Sequence, residues 1–213
     1  DSGADLPALL AYRRVWQDRR AQVDEFERQL RAGDWDEGDW QRFFETRTWI
    51  FGYGLRYQFL HLAQPRPYVG GRSPARLDGQ ESDFLLATLA NVRFTVLVEI
   101  KRPDTSLVVT NPYRNRTYQP SGGVVGGVTQ VQQACWRWAV EGSRTDAARD
   151  ELEHGQHIYT HEPRGILVIG DWASLQGDRD KIGSFESFRR NLQQPEILTF
   201  DELLERAKQI VQT

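Results

Sequence analysis

The sequence predicts an α/β fold in which a mixed sheet is flanked by helices. Three stretches carry that expectation. Ser82–Pro103 (SDFLLATLANVRFTVLVEIKRP) holds two runs rich in β-branched and aromatic residues, Phe84–Thr88 and Arg93–Ile100, around a short turn, and reads as a β-hairpin. Gly165–Gly170 (GILVIG) is a continuous apolar run, as in a central strand covered on both faces. Leu6–Leu30 sets Leu9, Tyr12, Val15, Trp16, Val23, Phe26 and Leu30 at helical spacings, which makes an amphipathic helix.

The remaining elements follow in order. Gly33 stops the first helix, and Asp34–Gly38 is an acidic turn. A second helix is predicted over Asp39–Thr46, with Trp40, Phe43 and Phe44 facing inward. Trp49, Ile50 and Phe51 form an apolar anchor that ends at Gly52 and Gly54. Tyr57–Leu62 and Tyr68–Val69 read as short strands, and Gly70–Gly79 as a loop. After the hairpin come a strand at Ser106–Thr110 and a polar, glycine-rich excursion at Asn111–Gly127, long enough to suggest a mobile or functional segment. Val128–Glu141 reads as a buried helix, and Ser143–His161 as a charged, half-helical stretch. Phe185–Leu192 is a helix closed by Pro195. Glu196–Phe200 is the last strand, and Asp201 is placed to cap a final helix, Glu202–Val211. Residues 1–38 are expected to be a helical extension or linker, and 39–213 a domain. The chain contains no methionine, even at position 1, and reads as a piece of a longer protein.

At 213 residues, with 39% hydrophobic content, 7 Trp and 10 Phe, the chain can build one core. A net charge of −3 names no partner, but the charge is locally polarised. Asp24–Glu45 has eight acidic and three basic residues. Arg56–Arg76 has four arginines, Arg72 among them, and no acidic residue. Arg102–Arg137 has four, including Arg114 and Arg116, against one aspartate. Arg72, Arg102, Arg114 and Arg116 are therefore candidates to line a nucleic-acid path, although solvated loops share the pattern. The single cysteine, Cys135, excludes a disulfide framework and reads as a buried small hydrophobe. No signal peptide or membrane-spanning run is found, so a cytoplasmic setting without a membrane partner is expected.

The chemistry concentrates in the hairpin. With the turn centred on Asn91, cross-strand partners sum to 182 (2 × 91), so Asp83 faces Glu99. The two-residue strand period puts Glu99 and Lys101 on one face. Two carboxylates on adjacent strands suit Mg²⁺, and the Ile100 carbonyl can supply a third oxygen. Lys101 can orient an attacking water, and the amide of Gln130, or of the less favourably placed Gln133, can reach water or phosphate. The same D…ExK spacing also fits a hairpin that ends in a salt bridge. Glu45 is a surface glutamate that could join a metal shell. His154, His157 and His161 lack the partners of a zinc site. The glycines at 122–123 and 126–127 form no phosphate-binding motif, and no nucleophile elbow is present.

The ordered segments TWIFGYG, SDFLLA, LVEIKRP, GGVTQVQQACWRW, GILVIG and FESFRRNLQQPEILTFDELLERA resemble the nuclease domain of the Shedu antiphage defence family, of the PD-(D/E)xK superfamily, across about Asp39–Val211. The resemblance implies a restriction-endonuclease-like core, with Asp83 as its first acidic residue, Glu99 and Lys101 as its ExK pair, and Gln130 opening the next helix. Trp136 and Trp138 stand where the family's helix usually carries a tyrosine. It further implies a bacterial, cytoplasmic Mg²⁺-dependent DNA endonuclease, with Mn²⁺ as substitute, assembled as a dimer or tetramer and triggered by infection. A catalytically silent DNA-binding, sensing or oligomerisation module on the same fold is the alternative.

Overall fold

The computed structural model describes residues 6–52, 60–65, 68–70, 80–81, 83–88, 93–140 and 158–212. The elements are α1 (Leu6–Ala32), α2 (Glu37–Glu45), β1 (Leu60–Pro65), β2 (Tyr68–Gly70), β3 (Gln80–Glu81), β4 (Phe84–Thr88), β5 (Arg93–Ile100), α3 (Gly122–Val140), β6 (Ile158–Val168), α4 (Arg179–Arg190), β7 (Glu196–Leu198) and α5 (Phe200–Gln212). Single 3₁₀ turns cover Thr48–Gly52 and Trp172–Leu175.

Five strands form one mixed sheet in the order β1-β4-β5-β6-β7. Pairing is antiparallel across β1/β4/β5 and parallel across β5/β6/β7. The hairpin register is the expected one: Phe84 faces Val98 and Ala87 faces Thr95. The turn between them, like Arg56, Arg66, Arg72 and Arg76, lies outside the described residues.

Alternation along β4, β5 and β6 divides the apolar residues between two cores. Phe84, Leu86, Val96, Val98, Ile100, Ile166 and Val168 pack against Phe26 of α1, Trp40, Phe43 and Phe44 of α2, and Phe200 and Leu203 of α5. Leu85, Leu97 and Leu167, from the opposite face, meet Val124, Val131 and Trp138 of α3 and Phe185 of α4. Gly165–Val168 of GILVIG is thus strand covered on both faces, as its composition predicts, and Ile169–Gly170 lie just past the strand end. Cys135 is buried in the second core, where burial pushes its thiol up to about 12.

The C-terminal half of α1 is part of the domain: Val23 and Phe26 are buried, and Glu27 bonds Lys208 of α5. Leu9, Leu10, Tyr12 and Val15, in its N-terminal half, are exposed.

Several boundaries differ from the sequence reading. The second helix starts two residues earlier than the predicted Asp39, because Asp36 and Asp39 form a capping box. The segment expected as a strand at Ser106–Thr110 forms only an isolated bridge, Val108 to Pro120. The helix predicted from Val128 begins at Gly122, so the glycine pairs are helical rather than a loop. Ser121 caps it, accepting from the Val124 N–H at 3.1 Å. Close packing favours glycine at two of the four positions: a Cβ on Gly127 would lie 2.9 Å from Leu167 Cδ1, and one on Gly123 would lie 2.7 Å from Thr105 Cγ2, so either side chain would have to shift. The final helix starts at Phe200, so Asp201 lies inside it and accepts from the Trp172 N–H instead of capping. Glu202, not Asp201, closes that end by accepting from the Thr199 N–H. The half-helical expectation for Ser143–His161 falls mostly outside the described residues, and its last residues, from Ile158, are strand.

Candidate active site

The end of β5 is fastened before it is used. Lys101 N–H donates to Val168 O at 2.8 Å, and Gly170 N–H donates to Arg102 O at 3.1 Å. Gly170 has φ +66°, and a Cβ there would meet Thr105 O at 2.7 Å, so this turn accepts only glycine. These bonds fix where the Glu99 and Lys101 side chains emerge.

Asp83 sits immediately before β4. Its Oδ2 accepts from the Ile100 N–H at 2.7 Å, taking the place that a backbone carbonyl would hold in a ladder. A strand residue exchanges both its N–H and C=O with the same neighbour, so the Ile100 carbonyl is directed to the Asp83 side as well. Asp83 Oδ1 accepts from Gln41 Nε2 at 2.6 Å. Glu99 is 2% exposed, and its Oε1 accepts from Lys101 Nζ at 2.8 Å. The side chain of Gln130 also hydrogen-bonds Glu99. Lys101 Nζ lies 3.5 Å from Glu37 Oε1.

The electrostatics follow from burial and crowding. Burial, then the charge of Glu99, pushes Asp83 up to about 7, against the pull of the Ile100 N–H and Lys101. Burial also raises Glu99, though Lys101 and Gln130 favour its charged form. Burial works to lower Lys101, but Glu99, Glu37 and Asp83 outweigh it and hold the ammonium above its usual range. Two carboxyls that resist ionising together form a site short of positive charge.

The sequence-predicted Asp83, Glu99, Lys101 and Gln130 are therefore brought together, with Ile100 between the carboxylates. Gln130 does not begin its helix; it lies eight residues (130 − 122) or about two turns into α3. The helix carboxylate at the cluster is Glu37, not Glu45, which lies eight residues further (45 − 37), about 12 Å along α2. Glu37 and Gln41 are the participants that sequence reasoning missed. Their spacing of four, which puts them side by side on the flank of the buried Trp40, Phe43 and Phe44 stripe, was the available signal. Trp138 is buried in the second core while Trp136 is 58% exposed, so Trp138 is structural.

Of the candidate arginines, Arg102 is held by Asp104 through bonds of 2.8 and 2.6 Å. Arg116 pairs with Asp180 at 2.5 Å, and Arg114 is exposed. His154 and His157 lie outside the described residues. Among the described residues, no group of three or more His, Cys, Asp or Glu is gathered closely enough to hold an ion. The oxygen set is thus two carboxylates and a carbonyl. That is a hard donor set of the size Mg²⁺ uses when water and phosphate complete its shell. No helix among the described residues is long and apolar enough to cross a membrane.

Fold and site together define a mixed α/β domain carrying a D…ExK cluster at the carboxyl end of a central strand. The sequence profile of the family described as Shedu protein SduA, C-terminal, matches residues 34–204. The chain is 30% identical over 174 residues to Shedu protein SduA of Bacillus cereus (strain B4264), covering 81% of this chain and 44% of the relative. The chain belongs to the Shedu family and spans less than half the length of that relative.

Proposed function

We propose that the chain is the Mg²⁺-dependent DNA endonuclease part of a bacterial, cytoplasmic antiphage defence protein, on a PD-(D/E)xK core. The observation that carries this reading is the convergence of Asp83 and Glu99, with Lys101 bonded to Glu99 at 2.8 Å. Asp83, Glu99 and the Ile100 carbonyl would hold Mg²⁺, with Mn²⁺ as substitute. When bound, the ion supplies a polarised water at neutral pH and neutralises charge on the scissile phosphate. Gln41 and the Ile100 N–H orient Asp83, and Gln130 orients Glu99. Lys101 holds and positions the attacking water from beside Glu99, and Glu37 keeps the ammonium charged.

Incubation with plasmid and linear DNA should give cleavage in Mg²⁺ that EDTA abolishes. Binding without cleavage of any substrate would support the silent module instead, and neither binding nor cleavage would end the nucleic-acid reading. Exposed Leu9, Leu10, Tyr12 and Val15 on α1 support assembly as a homo-oligomer, a dimer or tetramer. A Leu9→Ser, Tyr12→Ser variant should then sediment as a smaller species than the parent chain, and an unchanged sedimentation coefficient would remove α1 from assembly.

A further inference from the structure

Between the end of β5 and α3 the chain folds into a narrow ribbon. Ser121 N–H donates to Leu107 O, Val109 N–H to Gln119 O, and Tyr113 N–H to Thr117 O. Thr117 N–H closes a tight turn onto Arg114 O at 2.7 Å, with positive φ at both central residues, Asn115 (46°) and Arg116 (61°). That is the hairpin turn whose second central position favours glycine, so Arg116 carries a conformational cost there. The ribbon is also pinned from the side. Arg116 pairs with Asp180, the Tyr118 N–H donates to Ser184 Oγ, and Lys181 lies over the Tyr118 ring. The backbone of the tip is thus bonded and its flank held, while Tyr113 is 69% exposed and the side chain of Arg114, the next residue, is exposed as well.

A rigid tip that presents an aromatic ring and a guanidinium is built for contact. The surroundings choose the partner. Protein hot spots sit inside an apolar, water-excluding patch. Here every residue from Asn111 to Thr117 is exposed, and the neighbours of Tyr113 are polar or proline. A nucleobase offers a flat π-face with a phosphate close by, which matches one ring and one adjacent arginine. We infer that Tyr113 stacks on an unpaired base while Arg114 takes the neighbouring phosphate, so that this ribbon selects DNA with exposed bases. The inference rests on the nuclease reading of the site, and it needs an unpaired base because a base inside a duplex has no free face.

The test uses the 213-residue chain with Glu99→Gln, and a duplex carrying a short single-stranded gap with a fluorescent adenine analogue in it. Tyr113→Ala should lower affinity for the gapped DNA by about 5- to 100-fold and remove quenching of the analogue. Tyr113→Phe should preserve both, and affinity for closed, fully paired DNA should change less than about twofold. Equal affinity of the Ala variant for gapped DNA would overturn the inference and leave the nuclease reading intact. A loss in Phe as large as in Ala would assign the effect to the hydroxyl and overturn stacking. No binding of either DNA by the parent chain would overturn both.

Discussion

Asp83→Asn and Glu99→Gln should each lower single-turnover DNA cleavage by at least about 10²–10³-fold, the scale of losing one preorganised charged group in an active site. Each removes one of the few oxygen charges available to a hard cation. The fold should not suffer. In cation-free protein at pH 8, Asp83→Asn should be more stable than the parent chain. Burial, then Glu99, moves the Asp83 carboxyl up to about 7. Its unfolded value is ~3.9. The folded state therefore binds this proton more tightly than the unfolded state. The stability contributed by Asp83 is fully present below about pH 4 and falls as pH rises through about 7. Asparagine has no proton to lose, so the advantage of the variant should grow across that window, on the order of 1–3 kcal/mol. Thermal melts in EDTA from pH 4 to 8 measure it. A large drop in melting temperature would make the carboxylates structural, and retained cleavage would remove them from the chemistry.

Lys101→Arg should be nearly as inactive as Lys101→Ala, with losses on the order of 10²-fold or more. The Lys101 ammonium is compact and lies 2.8 Å from Glu99 Oε1 and 3.5 Å from Glu37 Oε1. A guanidinium is planar and wider, and cannot release a proton near neutral pH. The site around Lys101 is closed, with the side chain only 22% exposed. If the lysine merely neutralised phosphate, arginine would serve. DNA affinity, measured at one salt concentration beside cleavage, should persist in both variants. Cleavage by the Arg variant at the parent rate would sink the water-positioning role.

The parts of the molecule that sequence made legible are those set by local periodicity. β-propensity and a central asparagine predicted the β4/β5 register, and the register alone placed Asp83 opposite Glu99. GILVIG declared its two-sided burial by having no polar residue. What stayed hidden depended on tertiary contact. Glycine lowers helix propensity, so Gly122–Gly127 read as a loop. Only tertiary packing explains two of them: Gly127 lies against Leu167 and Gly123 against Thr105, while Gly122 and Gly126 have open space where a Cβ would stand. The acidic stretch before Trp40 read as a turn, which displaced the start of α2 and hid Glu37. Read as a capping box, Asp36 and Asp39 would have put Glu37 in the first turn and Gln41 directly above it. No periodicity could have told that this face of α2 meets Asp83 and Lys101, because those contacts join residues 42 and 64 positions apart.

The bond from the Ile100 N–H to Asp83 has a use beyond holding the hairpin. Its acceptor is an oxygen whose charge changes with pH, at 2.7 Å. The magnetic environment of that amide proton must follow the ionisation of Asp83. Ile100 is thus a spectroscopic gauge wired into the main chain. In isotope-labelled protein it reports the protonation state of the acid pair directly, through a resonance that every variant keeping Asp83 retains.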